Sequence, residues 1–188
     1  MQLADQIPRG RLVELCGDNH TARLSLAVTL VRASQHEGES VAWVQPRGGG
    51  LYPPDLHDSG VDLASLLVIH IPPEGGAIGL TKAAEILMRS GALGLLVLDL
   101  SASSPPRGEA WLNRLAALAR EHRSRVLLVT ASGAETPSLG TLVSLRLLPK
   151  RQRLAPGHFV VTPTLLKDKL GLDAEIGAEH YRGPWGLL

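Results

Sequence analysis

Aromatic residues are scarce in this 188-residue chain: one Phe, two Tyr and three Trp, 3% in all. Leu, Val and Ala must therefore fill the interior. There is one cysteine, Cys16, which excludes an internal disulfide framework and leads us to expect a reducing, cytoplasmic setting. Neither sign of charge dominates. Against 18 acidic residues stand 19 basic ones, for a net charge of +1, which argues against a general nucleic-acid coat. Of the basic residues 15 are Arg and four are Lys, a bias that we ascribe partly to coding. No apolar run approaches the roughly 20 residues that cross a bilayer, so no membrane contact is expected. The opening "MQLADQIPRG" lacks a basic-then-apolar signal pattern. Internal repeats and low-complexity segments are missing too. The seven histidines (His20, His36, His57, His70, His122, His158 and His180) have no zinc spacing among them, and no metal site is expected.

The length suits one domain with a full-sized core: residues 1–188, with 1–9 a short lead and 172–188 a tail. "RLVELC" (11–16) reads as a buried strand. Apolar residues at helical spacing predict a helix over 21–37 that Gly38 stops. "SVAWVQ" (40–45) is the next strand, and "PRGGGLYPP" (46–54) is a loop because Gly and Pro crowd it. "LLVIHI" (66–71), "LGLLVLDL" (93–100) and "RVLLVTAS" (125–132) are further strands, separated by helices over 81–90 and 109–122. Near-continuous apolar strands belong to parallel sheets covered on both faces. After Pro137 the pattern becomes two strands around a "KRQRLAPG" turn (150–157), an antiparallel pair. The fold class is α/β: a mostly parallel sheet flanked by helices, with an antiparallel extension at the C-terminal end.

"GRLVELCGDNHTARLSLAVTLV" (10–31) has the outline of a strand, a phosphate loop and a helix. With "SGVDLASLLVIHIPP" (59–73), "RSGALGLLVLDLSASSP" (89–105), "VSLRL" (143–147) and "HFVVTPTLLKDKLG" (158–171), it resembles the RecA ATPase core over roughly residues 10–171. That resemblance implies a P-loop NTPase fold and places Asp99 at the metal-linked aspartate of the strand before the first DNA loop.

The departures from the pattern decide the expected chemistry. A working loop reads G-x-x-x-x-G-K-[ST]: glycines expose N–H groups to phosphate, Lys reaches the outer phosphates, and the hydroxyl ligates Mg²⁺. Here Gly17 survives, but the later positions are Ala22, Arg23 and Leu24. Alanine resists a left-handed backbone, Arg is a bulkier planar fork, and Leu cannot ligate a hard cation. Asp18 adds a negative charge where phosphates should sit. The catalytic Glu that RecA proteins carry after the second strand is replaced by Gln45, Pro46, Arg47 and Gly48. Gly17, Ala22, Arg23, Leu24 and Asp99 are thus vestigial nucleotide-site positions. No cofactor, catalytic residue or enzymatic activity is expected. Arg23 should pair with Asp18, Asp99 or solvent.

The loops "SASSPPRGE" and "SGAETPSLG" stand where RecA proteins bind single strands, and neither has an aromatic residue or a basic cluster. The sequence opens nine residues before the first strand, so the N-terminal polymerisation helix of RecA proteins is expected to be absent or trimmed. A RecA-like core of this kind resembles the ImuA/SulA-like family, ImuA most of all, and the closing "RGPWGLL" (182–188) is similar too. The resemblance implies a non-enzymatic adaptor in damage-induced translesion synthesis. Its partners would be an ImuB-like Y-family polymerase relative, an error-prone polymerase complex and RecA itself. The alternatives are a SulA-like inhibitor of cell division and a DNA-binding RecA paralogue. Arg146, Lys150, Arg151 and Arg153 around the final hairpin are candidate contacts for DNA phosphate or an acidic partner, as against a solvated turn. Trp185 in the tail is a candidate partner anchor.

Overall fold

A computed structural model describes residues 6–172 and 176–183. Strands β1 (Leu12–Leu15), β2 (Val41–Pro46), β3 (Leu66–Ile71), β4 (Leu95–Asp99), β5 (Arg125–Val129), β6 (Val143–Ala155), β7 (His158–Asp168) and β8 (Glu179–Arg182) form one sheet in the order β3-β2-β4-β5-β1-β6-β7-β8. The first six strands in that order run parallel, and β7 and β8 are antiparallel additions at one edge.

Strand periodicity sends alternate apolar residues to opposite faces. Val13, Leu15, Trp43, Leu127 and Val129 meet Leu26 and Leu30 of α1 (Arg23–His36). On the other face Leu12, Val44, Leu96 and Leu128 meet α3 (Gly76–Arg89) and α4 (Ala110–His122) through residues such as Leu80 and Leu115. The mostly apolar strands follow from this double cover.

Three boundaries differ from expectation. α2 (Pro53–Asp58) starts inside the anticipated loop, with prolines in its first turn, where a missing N–H costs nothing. α3 begins at Gly76, before the anticipated Thr81. Gly75 and Gly79 let the backbone lie against Ile71, and an added Cβ at either would sit 2.7 or 2.9 Å from its Cγ2. The expected turn over 150–157 is mostly strand. β6 runs to Ala155 and β7 starts at His158, so only Pro156 and Gly157 lie between them. Tyr181 ties β8 to α1: its hydroxyl lies 2.9 Å from that of Thr29 and donates to Glu179 Oε2 at 2.6 Å. Burial, then the Glu179 carboxylate, pushes that phenol above its ordinary range.

Candidate functional site

The C-terminal ends of β1, β2, β4 and β5 share one edge of the sheet, the place where open α/β sheets bind ligands. The loop 17–22 joins β1 to α1 there. Gly17 holds φ +136°, which an L side chain tolerates poorly. Ala22 sits at φ −92°, ψ 34°, so the loop demands no left-handed residue at that point.

A phosphate loop works by turning backbone N–H groups toward an anion. In this loop successive N–H groups are taken internally. His20 N donates to Asp18 Oδ1 at 2.8 Å, Thr21 N to Asp18 O at 3.3 Å and Ala22 N to Pro149 O at 3.0 Å. The hollow of the loop is filled as well. Thr21 packs on Gly17 so closely that an added Cβ would lie 2.4 Å from its Oγ1. Thr21 Oγ1 also donates to Asp18 O at 2.8 Å.

Arg23 is 6% exposed and folds back beneath the loop. Its Nη1 donates to Gly17 O and, at 3.2 Å, to Thr130 O; its Nη2 donates to Asn19 Oδ1 at 3.0 Å. The expected pairing with Asp18 or Asp99 is thus corrected: carbonyl and amide oxygens take the guanidinium. Asp99 is buried, and its Oδ1 accepts from Ser101 N at 2.9 Å, capping the start of the next loop. Leu24 packs against the core, and an added Cβ at Gly50 would lie 2.8 Å from its Cδ1. Gln45 is buried with its Nε2 3.4 Å from His70 Nδ1 and its Oε1 unpartnered, and an added Cβ at Gly49 would lie 2.4 Å from that oxygen.

Sequence reasoning missed a second cluster. Glu14 in β1 is fully buried. Its Oε1 accepts from Thr130 Oγ1 at 3.1 Å and Ser132 Oγ at 3.3 Å, and its Oε2 from Leu139 N at 3.1 Å. Arg146 in β6 lies beside it, Nε to Oε1 3.4 Å, and donates to the carbonyls of Gly133 (2.9 Å) and Thr136 (2.5 Å). Arg146 is therefore no surface contact: it is buried and braces the loop after β5. A carboxylate inside the apolar "RLVELC" strand was the signal that could have flagged this cluster. Lys150, Arg151 and Arg153 stay exposed on the hairpin, with the Arg151 guanidinium 5.2 Å from the centre of the Phe159 ring. Trp185 lies outside the described residues.

Among the described residues no group of three or more His, Cys, Asp or Glu side chains is placed to hold a metal ion, and no helix is long and apolar enough to cross a membrane. Residues 4–117 match the family model described as RecA N-terminal domain. Protein RecA of Clostridium beijerinckii is 33% identical over 103 residues, covering 55% of this chain and 27% of that protein. Protein RecA of Nocardioides sp. is 37% identical over 102 residues, 54% of this chain and 28% of that one. Protein RecA of Saccharopolyspora erythraea is 37% identical over 103 residues, 55% and 29%. The chain thus spans less than a third of the length of these curated relatives.

Proposed function

The chain belongs to the RecA N-terminal domain family, and from that premise we propose that it works without ATP chemistry, as an ImuA-like adaptor in damage-induced translesion synthesis. The observation that carries this reading is the self-satisfied phosphate loop. The N–H groups of His20, Thr21 and Ala22 are engaged by Asp18 and Pro149. Arg23 is spent on Gly17, Thr130 and Asn19, and Leu24 offers nothing to Mg²⁺. A triphosphate would have to break these bonds and would gain no metal ligand from the loop in return. Each charge-assisted contact so forgone is worth about 1.5–3 kcal/mol.

A fold that keeps its core and gives up its ligand site works through its surface. β3 supports that role. It is the last strand of the sheet, and among the described residues no strand pairs with its outer edge. Leu67 on it is 45% exposed and Leu63 just before it 39%. An apolar open edge is a ready place for a partner strand, here a segment of an ImuB-like Y-family polymerase relative. Pull-down with such a partner should give a complex that Leu67→Lys weakens, and calorimetry with Mg²⁺ and ATP should give no heat at micromolar protein. Micromolar ATP affinity, or no complex between folded partners, would refute the reading.

A further inference from the structure

From Val143 to Lys167 the chain holds five cations (Arg146, Lys150, Arg151, Arg153 and Lys167) and no carboxylate. This segment is the β6–β7 hairpin short of its last residue, Asp168, and it lies beyond the residues that match the family model. β1 flanks β6 only to Leu147, with Cys16 N donating to Leu147 O and Ala22 N to Pro149 O. In an extended strand the N–H and C=O of residue i share a side, and residue i+2 repeats it. Leu147 and Pro149 face β1, so the backbone groups of Arg151 and Arg153 face the same way. β1 has ended by then. Lys150 and Gln152 turn theirs to β7, where they pair with Thr162 and Val160.

Among the described residues nothing pairs with β6 on that side beyond Pro149, and Lys150, Arg151 and Arg153 form no ion pair there. A second open edge thus differs from the first in character. β3 is apolar; this one is cationic, with Lys150 on one face and Arg151 and Arg153 on the other. Like charges crowded without counter-charge repel, and an acidic occupant relieves that.

We infer that the outer edge of β6, from Lys150 to Ala155, takes an extended acidic segment of a protein partner as an added strand. Backbone bonds at Arg151 and Arg153 would set its register, and the three cations would select Glu- or Asp-rich sequence. This rests on the adaptor reading, and it names the chemistry of one partner segment.

The probe is a fluorescein-labelled octapeptide of alternating Glu and Val, followed by anisotropy. Binding should fall with added salt. It should also fall roughly tenfold in the exposed charge reversal Arg151→Glu/Arg153→Glu, and as far when alternate peptide nitrogens are methylated on the wild-type protein. The methylated peptide keeps its charge and loses its donors, so that arm stands even if the variant does not fold. Equal binding of the methylated peptide, binding of a single-stranded oligonucleotide but not the peptide, or no binding at millimolar peptide overturns the inference. Wild-type capture of the ImuB-like partner in any of those cases leaves the adaptor reading standing.

Discussion

Glu14 and Arg146 are register partners on adjoining parallel strands, with Arg146 Nε 3.4 Å from Glu14 Oε1 and both side chains buried. Neither charge has water to fall back on. Each spends its remaining valence on the loop after β5: Glu14 through Thr130, Ser132 and Leu139, Arg146 through Gly133 and Thr136. Two buried charges thus tie that loop to the sheet.

Removing one member should therefore cost far more than the pair's net worth. Arg146→Met strands the Glu14 carboxylate and should lower unfolding free energy by about 3–5 kcal/mol in urea titrations. Glu14→Gln combined with Arg146→Met should cost less than the sum of the two singles, because the stranded charge is gone. Strict additivity would show that the pair is not coupled.

Cys16 is buried, and its Sγ lies 3.4 Å from Leu147 O. Burial pushes the thiol above its ordinary range, and the nearby Arg146 charge only partly offsets this. The thiolate is the reactive form, so native protein at pH 8 should resist iodoacetamide over hours while urea-unfolded protein labels fully, as read by intact mass. Native labelling within minutes would contradict the burial.

The fold was legible because its signals are local. Apolar runs the length of a strand, glycine stops and helix-period stripes fix a doubly covered parallel sheet. Of the candidate site only residue types were readable: Ala22, Arg23 and Leu24 depart from the phosphate-loop pattern. Where Arg23 would turn was not readable, since its acceptors are backbone oxygens of Gly17 and, from a distant strand end, Thr130. Arg146 misled for a similar reason. Its neighbours in sequence look like a basic turn, yet Arg146 lies where β6 runs beside β1 and against the loop after β5, while Arg151 and Arg153 lie beyond the end of β1.

Glu37 accepts from Arg125 at 3.0 Å and from Arg9 at 3.3 Å. Burial alone would raise its pKa, but the Arg125 bond and charge, then those of Arg9, outweigh it and hold the carboxyl below its ordinary 4.5. A depressed folded-state pKa stabilises above the unfolded value and loses that contribution as pH falls through the folded one. The stability gap between wild type and Glu37→Gln should be constant from pH 7 to about 5.5 and should vanish below the depressed value. A gap that widens on acidification would reverse the sign argued here.

Arg23 offers the sharpest separation of side chain from backbone. Arg23→Ala removes donors from Gly17 O, Thr130 O and Asn19 Oδ1 and should cost about 1–3 kcal/mol, with faster amide exchange in 17–22. The triple change Ala22→Gly, Arg23→Lys and Leu24→Thr restores the side-chain signature of a phosphate loop. It leaves His20 N and Thr21 N held by Asp18, and Ala22 N by Pro149. An anion needs those N–H groups free, so the triple variant should still fail to bind Mg²⁺–ATP at micromolar concentration in calorimetry. Adding Asp18→Ala frees the His20 N–H from its carboxylate and takes the acid away from the incoming phosphates. Any affinity should therefore appear first in the quadruple variant. Micromolar binding by the triple variant would place the obstacle in the side chains alone and remove the backbone from the account.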